Sequence, residues 1–479
     1  MGQGAFSWAD RRGSWLAVAL VALLVLLVNP VGYSGGGRDD TRYVDAALCW
    51  VETGRVCIPH DHWTTRWPAI APLAGAISLG GLNRPSVGIG TLPSYVLAIV
   101  LVGWLGRLWF SRRAGLIAAG LFAVVPAVAI HALRPNVDMV ELAAQLAALG
   151  LATLAIRSRS AGIAVASGAC AGLAVLSRDT SFLFAGLGIA AWFLCAPHER
   201  KLIPWAMIGF ASVIVAEMLV YAAATGDPLL RFKLALAHGS VPSTELASWV
   251  DTSRSPILNP QFIAGWKMTL GIKIWWPIDP WLNLLANPQI GPWLLTAPLG
   301  ALVARDSMSI VEKQKLVRIG LGSVLIALAI VYVLAIDPKT RAFLLPLSGA
   351  TLVLGWAISR IADAGRIGFA LTLLGSLMAL GIYALSSYQQ TQPLERAADV
   401  FMRTYPGQIE LDAQAKGTLM LVPGVIAAPV APAGRPLRMT IQNEACRVAL
   451  VRSLSSGRIS LEGEAVLDDH SSLCLVRYL

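Results

Sequence analysis

Long apolar stretches separated by short charged turns make up most of the chain. A membrane-spanning helix needs about 20 consecutive, mostly apolar residues. The pattern therefore predicts an all-α polytopic membrane bundle of about 11 transmembrane helices, some short enough to require tilting or local thinning of the bilayer. The predicted spans cover residues 14–30, 86–109, 115–131, 139–156, 161–177, 181–196, 203–223, 290–304, 319–336, 342–358 and 367–386.

The pattern changes near residue 387, where the apolar runs shorten to the length of strands. Residues 437–441 and 474–478 alternate apolar and polar side chains with a period of two, which is typical of strands. We therefore expect two domains, a transmembrane module over 1–386 and a small α/β or β-rich domain over 387–479.

Clusters of Lys and Arg fall at alternate ends of successive spans, as the positive-inside rule expects. If those ends are cytoplasmic, the N-terminus is inside, whereas a first outer loop (31–85), a large outer loop (224–289) and the C-terminal domain are periplasmic. Within the first loop, residues 68–80 are apolar but short and rich in Pro and Gly, so we interpret them as an interfacial or re-entrant segment. The chain is thus expected to be a multi-pass protein of a bacterial inner membrane. Its shorter outer turns are 131–138, 178–180 and 337–341.

The amino-acid composition also indicates a membrane protein. Of 479 residues 56% are hydrophobic and only 14% are charged, whereas charged residues make up about a quarter of an ordinary soluble domain. The formal net charge of +10 would suit a nucleic-acid-binding protein. We exclude that class because the Lys and Arg residues are scattered between apolar stretches, so the expected partner is the lipid bilayer.

The cysteines sort by predicted compartment. Four lie outside, where an oxidising environment allows two disulfides, and two lie within spans and should stay reduced. The outer four are Cys49 and Cys57 in the first outer loop and Cys446 and Cys474 in the C-terminal domain, and the inner two are Cys170 and Cys195.

Two adjacent carboxylates follow the first span. A run of glycines leads into Asp39 and Asp40, and Arg42 and Tyr43 come next. On a helix Asp39, Arg42 and Tyr43 share a face, because residues three and four positions apart are neighbours. The simpler interpretation is a helix N-cap in a solvated loop; the alternative is a reactive carboxylate pair.

Other polar residues gather at the predicted outer turns. His62 belongs to a His-Asp-His run that could bind a metal, although that spacing is a weak signal. Arg66, at the return to the membrane, could hold a lipid phosphate or be an ordinary snorkelling arginine. Arg134 and Asp138 could form a simple salt bridge or part of a site, because a charge at membrane depth costs roughly 2.5–3.5 kcal/mol and is rarely idle.

These motifs, in this order, resemble those of GT-C superfamily membrane glycosyltransferases, in the branch of protein O-mannosyltransferases and lipid A aminoarabinose transferases. Residues 39–43 are similar to the Asp-Glu-x-Arg-Tyr motif of that branch, Arg66-Trp67-Pro68 to its basic residue followed by prolines, and residues 134–138 to its Arg-Pro-x-x-Asp turn. The resemblance extends roughly over residues 15–350. The sequence departs from the branch in having Asp40 for Glu, one proline fewer after Arg66, and Arg178-Asp179 for Lys-Gly.

The resemblance implies an inverting glycosyltransferase of the EC 2.4 class, which moves a sugar from a polyprenyl-phosphate donor to a lipid, glycan or protein acceptor on the periplasmic face. Asp39 would act as general base and Asp40 would tune it, whereas arginines would bind the phosphate that leaves. No cofactor is required, although Asp39, Asp138 and His62 could supply a divalent cation site. The implied site residues are Asp39 and Asp40 for catalysis, Arg42, Arg66 and Arg341 for the donor phosphate, and Tyr43, His62, Arg134 and Asp138 for substrate binding.

Two other functions remain open at this stage. A transporter or flippase of a lipid-linked substrate would carry ionisable residues within its spans. Here the spans are nearly free of charge, with Glu141 and Glu217 as the acidic exceptions, and the other polar residues concentrate on one side. An O-antigen polymerase or ligase would place arginines and a histidine in a large late outer loop, where this chain has Arg231, His238 and Arg254.

Overall fold

Helices dominate the computed structural model of the chain. It describes residues 8–28, 39–132, 134–193, 197–239, 279–287, 289–330, 340–387 and 393–404, and, in the C-terminal part, 410–411, 419, 437–442, 459–468 and 471–478. The helices are α1 (Trp8–Val28), α2 (Asp39–Thr53), α3 (Trp67–Gly80), α4 (Arg84–Trp109), α5 (Arg112–Val124), α6 (Pro126–Ala129), α7 (Asp138–Ser158), α8 (Ala161–Ser177), α9 (Ser181–Phe193), α10 (Pro197–Arg200), α11 (Ile203–Thr225), α12 (Leu230–Gly239), α13 (Asp279–Ala286), α14 (Gly291–Val303), α15 (Ile310–Leu328), α16 (Leu344–Asp363), α17 (Ile367–Ser387) and α18 (Pro393–Thr404), with 3₁₀ turns at Arg305–Ser307 and Thr340–Phe343.

Within the described residues each predicted span falls on a helix, which confirms the helical membrane fold. The window 115–131 is divided between α5 and α6, because Pro126 has no backbone N–H to continue the first helix. The window 319–336 falls on α15, which begins earlier because Ser309 and Glu312 form a capping box at its start; residues 331–339 lie outside the described part.

Four helices among the described residues are long and apolar enough to cross a membrane by themselves, and shorter apolar helices accompany them. The chain is thus a multi-pass membrane protein, and the number of spans stays a prediction. The four cover Arg84–Trp109, Asp138–Ser158, Ile203–Thr225 and Arg341–Asp363.

The larger of two compact units holds most of these helices; it comprises the described residues within Met1–Pro30, Ile58–Ala69 and Thr91–Gln389. Its helix α16 is buried along nearly its whole length and packs against α5, α7, α14, α15 and α17, whereas α8 packs between α7 and α11. Small residues allow these close approaches, as is usual between membrane helices.

The smaller unit comprises the described residues within Val31–Cys57, Ile70–Gly90 and Gln390–Leu479. Cys49, near the end of α2, forms a disulfide with Cys57, which follows the helix, as predicted; Cys446 lies outside the described residues. The C-terminal strands are β1 (Glu410–Leu411), β2 (Leu437–Gln442), β3 (Ile459–Asp468) and β4 (Ser471–Tyr478), in the sheet order β1-β2-β4-β3.

The strand pairing gives the C-terminal part its α/β character. Strand β1 runs parallel to β2, whereas β4 pairs antiparallel with both β2 and β3, and α18 packs on β3 and β4. Both sequence stretches that alternate with a period of two lie in strands of this sheet. The division at residue 387 stays a prediction, since two stretches near the N-terminus belong to the same compact unit as the strands.

Candidate active site

Two buried carboxylates stand at the N-terminal end of α7. Asp138 begins the helix and Glu141 follows at a spacing of three, so both point to the same side of the first turn. Asp138 is 2% exposed and Glu141 6%. Two carboxylates this deeply buried require cationic partners, because an uncompensated buried charge is strongly unfavourable.

The first such partner is Arg178, which caps the C-terminal end of α8. Its Nη1 donates to Asp138 Oδ1 at 3.0 Å and lies 3.7 Å from Glu141 Oε2, so one guanidinium bridges both carboxylates. The contact joins α7 to the turn between α8 and α9. The sequence had suggested Arg134 as a salt-bridge partner of Asp138; the structure shows that Arg178, 40 residues further along the chain, also binds this carboxylate.

Arg341 approaches the same carboxylate from another direction. It lies in the 3₁₀ turn before α16, and its Nη1 is 3.9 Å from Asp138 Oδ2. The side chain of Arg341 is 26% exposed, compared with 13% for Arg178. Arg66 is also buried and lies close enough to Glu141 for a Coulomb attraction between the two. The cluster therefore contains three guanidiniums from three separate parts of the chain.

Neutral polar side chains fix the orientation of Glu141. Ser181 Oγ donates to Glu141 Oε1 at 2.6 Å, and Gln145 Nε2 donates to the same carboxylate oxygen at 3.2 Å and to Ser181 Oγ at 2.9 Å. A network of satisfied buried partners holds its members rigidly. Glu141 is thus held in place on the α9 side, while Asp138 faces the arginines.

A cleft opens above this cluster, which we call the Asp138 cleft. It has about 430 Å³ of empty space, part of which is open to solvent. Its charged side is formed by Asp138, Glu141, Arg178 and Arg341, and its apolar side by residues such as Leu142, Phe184, Ile330 and Leu345. An apolar wall facing a few convergent charged groups is the usual composition of a ligand site.

Arg231 braces the turns beside the cleft. This side chain of α12 is 2% exposed, and its Nη1 donates to Glu217 Oε1 at 3.0 Å and to the carbonyl of Thr65 at 2.9 Å. Its Nε donates to Asp179 Oδ1 at 3.2 Å, and its Nη2 donates to the last carbonyls of α8. It thereby joins α8, α11, α12 and the turn that precedes α3.

The turn before α3 is built from its own polar side chains. Asp61 Oδ1 accepts from the Thr64 backbone N–H at 2.9 Å, and Thr65 Oγ1 donates to the carbonyl of His62 at 2.7 Å. The His62 ring is buried and lies against Trp63, with 3.7 Å between ring centroids. These bonds set the path of the chain into Arg66.

The turn before α7 is organised by Asn136. Its amide lies 2.6 Å from His131 Nδ1, and its Oδ1 accepts from the backbone N–H of Asp138 at 3.2 Å. Arg134 is half-buried within this turn, and its carbonyl accepts from the Asn136 backbone N–H. The turn thus fixes where α7 begins and therefore the position of Asp138, its first residue.

The predicted catalytic pair lies on α2, in the smaller unit. Asp39 and Asp40 form the first turn of the helix, where carboxylates interact favourably with the helix dipole. Asp40 and Tyr43 are buried, whereas Asp39 is half-buried and Arg42 is exposed. The expected helix after the glycine run is therefore present, and the catalytic roles of its residues stay predictions.

Of the predicted residues, the structure brings Arg66, Asp138 and Arg341 into one cluster. Sequence reasoning left Glu141, Arg178 and Arg231 out of the site. The available signal was a charge within an apolar helix, which Glu141 and Glu217 both show. Among the described residues, no group of three or more His, Cys, Asp and Glu side chains is arranged to hold a metal ion.

The chain is similar to one protein family over part of its length and to solved structures over most of it. The family model described as dolichyl-phosphate-mannose-protein mannosyltransferase matches residues 71–221. A search of curated proteins gives no match. ArnT from Cupriavidus metallidurans in the apo state is 15% identical, with a TM-score of 0.53 over 97% of this chain and 98% of that one.

The chain is also similar in structure to an archaeal enzyme. The Archaeoglobus fulgidus oligosaccharyltransferase, tethered with an acceptor peptide, is 16% identical, with a TM-score of 0.52 over 90% of this chain and 62% of that one. AglB from the same organism, in complex with an inhibitory peptide and a dolichol-phosphate, is 17% identical, with the same TM-score and coverage. Our chain thus spans 62% of the length of these enzymes. Together, the family model and the structures confirm the predicted resemblance: this chain has the fold of the GT-C glycosyltransferase superfamily.

Proposed function

We propose that this protein is an inverting glycosyltransferase that moves a sugar from a polyprenyl-phosphate donor to a lipid, glycan or protein acceptor at the periplasmic face of a bacterial inner membrane. The observation that carries the proposal is the Asp138 cleft. Its charged residues come from turns far apart in the sequence, all of which the charge pattern predicts on the same side of the membrane.

The guanidiniums of the cleft suit a phosphate leaving group, which departs with the electron pair of the broken bond. In the proposed reaction the bond between the anomeric carbon and the phosphate oxygen breaks, and a bond from that carbon to the acceptor oxygen forms on the opposite face. Negative charge then grows on the phosphate, and guanidiniums match its oxygens with paired hydrogen bonds. Arg341 is the more exposed cation and would bind the phosphate directly, whereas Arg178 is held by two carboxylates.

The acceptor proton must also move to a base. Asp39 is our candidate, with Asp40 as the neighbour that tunes it. On the same helix, Arg42 would bind the donor phosphate and Tyr43 the substrate. The names of the similar proteins support the donor class: the family model concerns dolichyl-phosphate-mannose, and the AglB structure contains a dolichol-phosphate.

The first experiment follows release of polyprenyl phosphate, so that it does not depend on knowing the acceptor. Full-length protein in nanodiscs would be incubated with a panel of polyprenyl-phosphate sugars and cell-envelope extract, with and without EDTA. We expect Arg341→Gln to lower kcat/KM about 10²- to 10³-fold, the usual loss when one charge-stabilising donor is removed. Arg113→Gln, in an exposed ion pair with Asp363, is the control.

Equal turnover by wild type and Arg341→Gln would contradict the proposed phosphate site. Movement of the lipid-linked sugar across a liposome bilayer, without release of polyprenyl phosphate, would instead identify a transporter. Inhibition by EDTA that Mg²⁺ or Mn²⁺ reverses would add a divalent cation to the scheme.

The second experiment concerns the base. Asp39→Asn is expected to lower kcat by about 10²- to 10⁴-fold, the range typical of general-base removal. Asp45→Asn changes an exposed carboxylate of the same helix and should leave turnover unchanged. If Asp39→Asn has the same kcat as the control Asp45→Asn, Asp39 is not the base.

A further inference from the structure

A second cleft lies at the other end of the helices. It is formed between α1, α4 and α5 and has about 740 Å³ of empty space, part of which is open to solvent. Its lining includes Trp15, Leu101, Trp104, Leu116, Arg107 and Arg112. We call it the Arg107 groove.

The distance of the Arg107 groove from the Asp138 cleft follows from α7. Arg157, at the C-terminal end of α7, donates from Nη2 to the carbonyl of Leu108 at 2.5 Å, so that end of α7 lies beside the C-terminal end of α4. Asp138 begins the same helix 19 residues earlier. At 1.5 Å per residue, the two sites are separated by about 30 Å, the thickness of a membrane core.

The groove combines two apolar walls with a cationic rim. Trp15 and Trp104 provide broad apolar surfaces, and Trp15 packs so closely on α4 that a Cβ at Gly103 would lie 2.8 Å from its ring. Arg107 is exposed and Arg112 half-buried, and both border the apolar space. An amphipathic anion with an apolar chain would match both parts.

The two arginines differ from the cations around them. In the described part of the chain no carboxylate forms an ion pair with Arg107 or Arg112. Four other cations of this region have partners: Arg113 bonds Asp363, Arg157 the carbonyl of Leu108, Lys315 the carbonyl of Trp109, and Arg360 the carboxylate of Glu312. Two guanidiniums that line the same groove without such an ion pair present a site for a phosphate.

We propose that the Arg107 groove binds one anionic phospholipid, with its phosphate between Arg107 and Arg112 and an acyl chain along Trp15, Leu101 and Leu116. The charge pattern predicts that this end is cytoplasmic, and basic pockets between helices on that side suit anionic headgroups. The site is independent of the proposed glycosyl transfer, which concerns the opposite end of α7.

The test is native mass spectrometry of the full-length protein in detergent, titrated with phosphatidylglycerol or phosphatidylcholine. Wild type is expected to bind phosphatidylglycerol at least about fivefold more tightly than phosphatidylcholine, since each basic residue near an anionic surface adds to the attraction. The double variant Arg107→Gln/Arg112→Gln should weaken phosphatidylglycerol binding about 5- to 30-fold. The control Arg113→Gln, a neighbour outside the groove, should bind as wild type does.

Competition on wild type separates a lipid site from a general anion site and needs no variant. Excess inorganic phosphate or glycerol 3-phosphate should leave phosphatidylglycerol bound, because neither fills the apolar walls. Equal binding of both lipids to wild type, unchanged binding in the double variant, or displacement by excess inorganic phosphate or glycerol 3-phosphate would each overturn the proposal.

Discussion

At the scale of single residues, each buried carboxylate within the apolar helices has a guanidinium from a different part of the chain. Glu141 has Arg178, and Glu217 has Arg231. A charge at the centre of a membrane helix costs roughly 2.5–3.5 kcal/mol. The paired arginines offset that cost, and they also tie together the turns beside the Asp138 cleft.

Loss of the Arg231 guanidinium is expected to destabilise the protein. Arg231→Gln would leave Glu217 buried with its charge no longer compensated, at a cost of about 3–5 kcal/mol. Lys233→Gln is the matched control on the same helix, because Lys233 pairs with Asp227 at the surface and such pairs contribute about 1 kcal/mol or less. Thermal unfolding in detergent measures both, and equal Tm values for the two variants would contradict the bracing role.

Glu312 gives the protein a pH dependence at the predicted cytoplasmic end. Burial would raise the pKa of this carboxyl, but hydrogen bonds from Trp356, Arg360 and Ser309 outweigh it and lower the pKa from 4.5 to about 2. The folded pKa lies below the unfolded one, so the stabilisation is fully present above about pH 4.5 and is lost as pH falls towards 2.

The corresponding measurement is Tm as a function of pH for wild type and Glu312→Gln. We expect the difference in Tm to be largest near neutral pH and to shrink below about pH 4.5. Asp306→Asn changes a carboxylate that is 91% exposed and should behave as wild type at every pH. A difference between wild type and Glu312→Gln that does not change with pH would show that the charge of Glu312 is not what stabilises the helix pair.

At the scale of elements, glycines set the distance between α8 and α11. A Cβ at Gly168 would clash with the Ala206 carbonyl, and a Cβ at Gly209 would clash with the Val165 carbonyl. Each glycine therefore faces the backbone of the other helix. This close packing positions the C-terminal end of α8, where Arg178 and the carbonyls bound by Arg231 lie.

A larger side chain in this contact should separate the helices. Gly168→Leu is expected to lower stability by about 1–3 kcal/mol or more, the usual cost of overpacking. Gly162→Leu is a control in the same helix, since no described atom beyond the neighbouring residues and backbone of that helix lies within 4 Å of a Cβ there. Gly168→Leu, but not Gly162→Leu, should lower both the Tm measured in detergent and the rate of glycosyl transfer. Equal Tm values for the two variants would contradict the close contact.

At the scale of the whole molecule, the two ends of α7 differ in chemistry. The N-terminal end carries the Asp138 cleft, and the C-terminal end lies beside cations that cap α4 through the carbonyls of Leu108 and Trp109. Arginine and lysine at a helix C-terminus interact favourably with its dipole. The same cations form the clusters that predict the cytoplasmic side.

Thiol labelling tests this orientation. In spheroplasts carrying Cys446→Ser and Cys474→Ser, an impermeant maleimide should label Cys49 and Cys57 only after reduction, because the two form a disulfide on the predicted outer side. A variant Ser158→Cys, at the exposed C-terminal end of α7, should react only after the membrane is permeabilised. Labelling of Ser158→Cys in intact spheroplasts would show that the C-terminal end of α7 lies outside, and would contradict the predicted orientation.

The sequence by itself determined the class of protein, the positions of the helices and strands, and the turns that carry charge. These depend on local properties: the length of apolar runs, their period, and the residues that begin and end helices. For the same reason it indicated a helix at Asp39, the disulfide of Cys49 and Cys57, and a polar site near Asp138.

Only the tertiary structure decided which charges meet. Asp138 pairs with Arg178, 40 residues away, and Arg231 bonds the carbonyl of Thr65, 166 residues away. The sequence alone pointed only to the nearby Arg134 as a partner of Asp138, because spacing along one helix is the only geometry that a linear pattern contains. Partners that belong to different helices are chosen by packing, such as that of Gly168 on α11, and packing depends on the whole fold.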